Sequence, residues 1–292
     1  MMNNIIEVKN LGISYPNNGF SLKNISFTVP KGSIVGIIGE NGSGKTTAIN
    51  SLLGIRKKDT GSVKIFGQEF DNDNTLIKEK IGVSFDEVSL PSNLTAKEVS
   101  DIYKNFYKNW DNIFFINTLD KFGIDQRKKI SDYSKGMQKM FSIILSMSHN
   151  PELLILDEPT SSLDPVRRQE ILEIFQEFIE NGENSIMFSS HITTDIEHIS
   201  DFVVYINKGE VVFYEPITRL LYDYALVKCT EEVFRRLPSD KIIAYHKKNY
   251  EHAVLMNSRE SLQLIGDDLL IENPTLEEIM NIYSKGIAIW KH

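Results

Sequence analysis

Apolar and polar positions alternate at the start of the chain, in IIEVKNLGISY and SLKNISFTV, and that period of two predicts antiparallel strands. The pattern then closes up. IVGII (34–38) and LLIL (153–156) are apolar throughout, and SIMFSS (185–190) is nearly so, which fits strands buried on both faces of a parallel sheet. Helical spacing separates these runs. TTAINSLLGI follows Lys45 and ends near Gly54, and RRQEILEIFQEFIEN lies between the second and third runs. Thr95 and Glu98 form a capping box, and Val99, Ile102, Tyr103, Phe106 and Tyr107 recur at helical spacing, so a helical region is predicted over about 91–150. Short strands are expected around 202–213.

Beyond about Pro216 the texture changes. YALVKC, KIIAYH, HAVLM and DLLIE read as strands and TEEVFRRL and SRESLQLI as helices, giving the order β-α-β-β-α-β of a ferredoxin-like module. A last helix starts at Thr275, capped against Glu278. Two helices on one face of a four-stranded sheet leave the other face to be covered, and an open apolar face marks a protein contact. Residues 218–292 hold 10 basic and 11 acidic side chains and no RNA-recognition aromatic motif, so the reading is a protein-contact module that packs against a cassette or pairs with its counterpart across the dimer and tunes assembly.

Length and composition set the scale. The 292 residues, 41% apolar and 25% charged, suffice for two domains with an ordinary core. A net charge of −8 argues against holding nucleic acid or anionic lipid through overall charge. Cys229 is the single cysteine, which fits a reducing compartment and a small apolar filler. The opening MMNNIIEVKN lacks the apolar stretch of a signal peptide, and no run approaches the roughly 18 apolar residues of a membrane span, so membrane contact is expected only through a partner.

Three motifs carry chemistry. Gly39-Glu40-Asn41-Gly42-Ser43-Gly44-Lys45-Thr46 matches G-x-x-x-x-G-K-S/T in full, after a buried strand and before a helix. Its glycines let the backbone curl around phosphates, Lys45 reaches the β/γ-phosphates, and the Thr46 hydroxyl is a Mg²⁺ ligand. Asp157 and Glu158 place adjacent carboxylates at the end of a buried strand, which is costly unless a cation or reacting group uses them. Asp157 is assigned to Mg²⁺ and Glu158 to the attacking water. Ser134 and Gly136 precede the helix QKMFSIILSMSH, which makes a second phosphate-binding helix end.

With these motifs in this order, residues 4–215 resemble the nucleotide-binding subunit of ATP-binding cassette (ABC) transporters. The resemblance implies a P-loop NTPase cassette of the α/β class, with a RecA-like core, an antiparallel β subdomain and a helical subdomain, over 1–217, and an accessory module over 218–292. It makes Tyr15 the aromatic that stacks on adenine, 39–47 including Thr47 the Walker A loop, 134–138 the signature and 153–158 Walker B. Ser161 to Asp164 is similar to the D-loop, with Asp164 counted among the nucleotide contacts, and His191 to the switch histidine at the γ-phosphate. Lys45, Glu158 and His191 are then the catalytic set.

Two departures stand out. Asp86 occupies the place of the family's Gln in IGxxFQ, in the loop that senses Mg²⁺ and contacts the membrane partner, so it is counted with Thr46 and Asp157 as a metal residue, reaching Mg²⁺ through a water or in the closed dimer. YSKGM replaces LSGGQ with Lys135 at the first glycine. These variants, with the ferredoxin-like tail, resemble the bacterial YtrB-like subset, which includes exporters of amphipathic peptides such as phenol-soluble modulins.

The resemblance implies an ATPase in which two such subunits close on two Mg-ATP and drive a transmembrane permease from the cytoplasmic face of a bacterial membrane. Two other readings stand beside it. One is a soluble cassette ATPase acting on the ribosome or DNA, whose common forms carry two cassettes or a long coiled coil. The other is a non-hydrolysing, nucleotide-gated binding module, which the presence of Glu158 and His191 disfavours.

Overall fold

The structure is a computed structural model that describes residues 3–15, 20–70, 74–87, 89–248, 251–259 and 270–288. The alternating N-terminal runs form the antiparallel strands β1 (Asn4–Ser14) and β2 (Ser21–Pro30), joined in one sheet by β4 (Thr60–Ile65) and the short β5 (Gln68–Glu69) in the order β2-β1-β4-β5. The closed-up runs become β3 (Ile34–Ile38), β7 (Leu153–Asp157) and β8 (Ser185–Ser190), every residue of which is buried. With β6 (Ile81–Ser84), β9 (Phe202–Asn207) and β10 (Glu210–Pro216) they form a sheet of order β10-β9-β3-β8-β7-β6. All its pairings are parallel except β9 with β10. A parallel arrangement gathers the carboxyl ends of β3, β7 and β8 on one edge, where ligands of α/β sheets bind.

Helix α1 (Lys45–Leu52) follows β3, and the short α2 (Thr75–Lys78) precedes β6. The expected helical region holds α3 (Ala96–Phe106), α4 (Asn112–Lys121) and α5 (Lys135–Met147), and both halves of the Thr95–Glu98 capping box are made. Helix α6 (Pro165–Ile179) starts earlier than its apolar pattern, because the Asp164 carboxylate caps it by accepting from Val166 N and Arg167 N. Helix α7 (Thr193–Ile199) links β8 to β9.

The C-terminal strands β11 (Ala225–Thr230), β12 (Ile242–Lys248), β13 (Glu251–Met256) and β14 (Leu270–Glu272) pair in the order β14-β11-β13-β12, all antiparallel. That order fits the ferredoxin-like expectation, with differences. The first helix, α8, is a single turn (Glu231–Phe234), cut short ahead of Pro238. The second expected helix falls largely on 260–269, outside the described residues. Helix α9 (Leu276–Lys285) completes the Thr275–Glu278 capping box, and β15 (Ile287–Ala288) adds a strand beside β12.

The packing shows what covers the second face of the sheet. Leu226, Ala244 and Leu255 on one face share a buried cluster with Leu276, Ile279 and Ile282 of α9, and the same cluster runs on to Ile196, Ile199, Tyr205 and Phe213. The opposite face, with Val227, Val254 and Met256, is covered by Val233 and Phe234 of α8. Helix α9 and the cassette of the same chain therefore cover that face, the first of the two alternatives open in the sequence.

Candidate active site

The phosphate loop turns on glycine. A Cβ at Gly39 would lie 2.3 Å from Ile206 O and 2.4 Å from Ser43 Oγ. Gly44 sits at φ 116°, a conformation that side chains rarely adopt. The loop turns Lys45 inward: 5% exposed, it donates to Gly39 O at 2.8 Å and lies 3.4 Å from Glu158 Oε1. The Ser43 hydroxyl is buried without a hydrogen-bond partner among the described residues, which leaves a donor in the loop for an anion.

At the end of β7 the paired carboxylates are held differently. Asp157, 1% exposed, accepts from Thr46 Oγ1 at 2.8 Å and from the Ser189 hydroxyl, and adjacent hydroxyl and carboxylate oxygens are the donor set that suits Mg²⁺. Glu158 has φ 47°, a left-handed backbone costing about 1–3 kcal/mol. Its N–H is tied to Ser189, and its Oε2 accepts from His191 N at 3.2 Å and meets His191 Nδ1 at 2.7 Å. An ionised Glu158 requires the hydrogen on Nδ1. The acid is thus clamped between Lys45 and His191.

Asp86 has partners other than Thr46 and Asp157. Its Oδ1 accepts from Ser161 Oγ at 3.3 Å and lies 3.9 Å from Lys139 Nζ. Lys139, on α5 and 2% exposed, donates to Phe85 O at 2.8 Å and Asp157 O at 2.9 Å. Burial pushes its ammonium down to about 8 against the pull of Asp86, Asp157 and Glu158.

A cavity of about 440 Å³ is lined by Tyr15 and Phe20, by Asn41, Gly42, Gly44, Lys45, Thr46 and Thr47 of the phosphate loop, and by Asp86 and Glu158. Arg56 covers one face of the Tyr15 ring at 4.0 Å from its centroid. The lining does not include Ser134, Gly136, Asp164 or His191. Ser134 caps α5 by accepting from Met137 N, and a Cβ at Gly136 would lie 3.2 Å from Ser162 O, a tight contact. Asp164 serves α6 as its cap. His191 reaches the cavity only through Glu158.

Lys139, Ser189, Arg56 and Phe20 join the site without having been singled out in the sequence. A lysine breaking the apolar run of α5 was the one available signal.

Comparison with known proteins places the chain in a family. The ABC transporter family model matches residues 22–161. The lantibiotic transport ATP-binding protein SrtF of Streptococcus pyogenes is 33% identical over 71% of this chain and 89% of its own length. The bacitracin transport ATP-binding protein BcrA of Enterococcus faecalis is 33% identical over 73% of this chain and 69% of its own. The ABC transporter ATP-binding protein YtrB of Bacillus subtilis is 28% identical over 77% and 76%. Among solved structures, an ATP-binding subunit of an ABC transporter superimposes with a TM-score of 0.67 at 25% identity, over 74% of this chain and 91% of that one. The soluble alternative is not favoured by these matches. With a phosphate loop, a buried acid pair and relatives of this kind, the chain belongs to the ABC transporter family, as an ATP-binding, ATP-hydrolysing subunit.

Proposed function

We propose that two of these subunits, or one and a homologous partner, close around two Mg-ATP to drive a permease that exports peptides or other amphipathic compounds. Two transport subunits for lantibiotic and bacitracin among its relatives support the cargo class. One observation carries the dimer: Ser134 and Gly136 stand outside the cavity that Lys45, Thr46 and Glu158 line, so a second chain's signature must complete each site. The reading places the permease at the membrane and this chain on its cytoplasmic face.

In each site Tyr15 stacks on the adenine, with Arg56 behind the ring and Phe20 beside it. The backbone N–H groups of 41–47 and Lys45 take the phosphates. Thr46 and Asp157 would hold Mg²⁺, which when bound neutralises phosphate charge. Glu158 accepts a proton from the attacking water, whose oxygen bonds to the γ-phosphorus as the bond to the β–γ bridging oxygen breaks and ADP leaves. His191 holds the Glu158 carboxylate in line. Asp86, paired with Lys139, ties α5 to the end of β7 and transmits closure.

Two measurements test this reading. ATP turnover per chain should rise with chain concentration, and detergent extraction with tagged protein should recover a hydrophobic subunit. Turnover independent of concentration would overturn the dimer, and recovery of ribosomes or DNA in place of a permease would overturn the transport role.

A further inference from the structure

The helix after the switch histidine is held from two sides. Helix α7 begins at Thr193, two residues past His191. From the Walker B side, Thr160, fully buried and two residues past Glu158, donates its hydroxyl to Asp195 Oδ2 at 2.6 Å. From the C-terminal side, the N–H of Leu276, the first residue of α9, donates to Glu197 Oε1 at 2.6 Å. A carboxylate at a helix N-terminus meets both an unsatisfied N–H and the positive end of the dipole. Below that bond, Leu276, Ile279 and Ile282 pack into one buried cluster with Ile196 and Ile199 of α7. Beside it, Asn281 and Ser284 of α9 face Glu40, His191 and Thr194 across a cleft of about 430 Å³. The C-terminal segment therefore touches the cassette where the histidine that clamps Glu158 is anchored.

We propose that α9 is a positioning element for ATP hydrolysis: through Glu197 it fixes α7, and with it the placement of His191 against Glu158. This rests on the roles given above to His191 and Glu158. It assigns the C-terminal segment to turnover, where the sequence suggested assembly alone. The physical reason is the tolerance of the chemistry. A displacement of about 1 Å at a catalytic group costs up to 10²-fold. Helix α7 is under two turns long, so its position is set by what it packs against and not by its own stability.

The test uses the full-length chain above its ATP-driven dimerisation midpoint. In Glu197→Ala, kcat should fall roughly 3- to 30-fold while KM for ATP and ATP-driven dimerisation stay within about twofold. Deuterium uptake should rise across 192–199 and not across 39–47. Glu197→Gln, which keeps an acceptor for the Leu276 N–H, should recover most of the loss. In a His191→Ala background, Glu197→Ala should add nothing further.

Several results would overturn the proposal. One is wild-type kcat in Glu197→Ala, even with a lowered melting temperature. Another is full additivity with His191→Ala. If His191→Ala itself turns over normally, the role of the histidine fails first; if His191→Ala is impaired and Glu197→Ala is not, the inference alone fails. Should Glu197→Ala not fold, Asn281→Trp on the exposed side of α9 puts bulk into the cleft and leaves the apolar core intact. It should lower kcat at unchanged KM, and wild-type kcat there is equally fatal.

Discussion

The parallel sheet and the C-terminal sheet are both made of short β-rich runs, yet they treat charge in opposite ways. At the carboxyl ends of β3, β7 and β8 the chain buries Lys45, Asp157, Glu158 and Ser189 within a few ångströms of one another. In the C-terminal sheet His252 is the one buried polar side chain among the described residues, and Glu231, Lys228 and Glu272 pair at the surface. Topology accounts for the difference. Parallel strands bring their carboxyl ends to one edge, where groups from separate strands converge, whereas antiparallel strands send successive ends to opposite edges. Buried charge costs several kcal/mol per ion unless paired, so it persists where chemistry uses it.

The largest expected effect breaks the buried set. Glu158→Gln removes the proton acceptor and keeps the shape, so turnover should fall by about 10²–10⁴ while ATP affinity is retained and the dimer accumulates with ATP. Radiometric ATPase assays against equilibrium nucleotide binding check this. Unchanged turnover would remove Glu158 from the base role.

A second effect tests whether the two regions fold as one. Leu276 is fully buried in the cluster that joins the C-terminal sheet to α7 and to Tyr205. Leu276→Ala should destabilise by about 2–5 kcal/mol. Urea unfolding followed by tryptophan fluorescence and by far-UV circular dichroism should give coincident transitions, both shifted. A shift confined to an early minor transition would show that the segment unfolds by itself. The shared core also changes what truncation means. Cutting after Pro216 bares Ile196, Ile199 and Phe213, so loss of solubility is the expected outcome.

Asp86 is a smaller and sharper case. If its carboxylate serves Lys139 and Ser161, Asp86→Asn should cut turnover by roughly 2- to 5-fold and leave the Mg²⁺ needed for half-maximal rate within about twofold. Mg²⁺ titration of both proteins at fixed ATP checks this. A rise of about tenfold in the requirement would return Asp86 to the metal.

These predictions divide along what the sequence could show. Apolar runs placed β3, β7 and β8, and two capping boxes, Thr95–Glu98 and Thr275–Glu278, were spelled out within four residues. The phosphate loop was equally local. Lys139 was not, because its partners Phe85 and Asp157 lie 54 and 18 positions away. Nor was the positive φ of Glu158, which any acidic residue hides in one-letter form. Which face of the C-terminal sheet is covered, and by what, stayed open for a similar reason: periodicity gives each strand two faces, and only packing says that α9 takes one of them.

The smallest effect comes from the surface set of the C-terminal sheet. Glu231 accepts from Lys247 Nζ at 3.0 Å, lies 2.9 Å from His252 Nε2, and accepts from Arg235 Nε at 3.2 Å. Hydrogen bonds from Lys247, His252 and Arg235 hold its carboxyl down at about 2, below the 4.5 of a free glutamate. Between those two values the unfolded chain binds more protons than the folded one. The stabilisation is therefore complete above about pH 4.5 and lost as pH falls towards about 2. Glu231→Gln lacks the charge at every pH. Thermal melts should place the wild type above Glu231→Gln at pH 7, with the gap closing as pH falls below about 4.5. Solvent screening keeps the gap small, and raising salt should shrink it further. A gap that is constant with pH would mean that the charge on Glu231 contributes nothing to the fold, and the contrast with the buried carboxylates of β7 would then be complete.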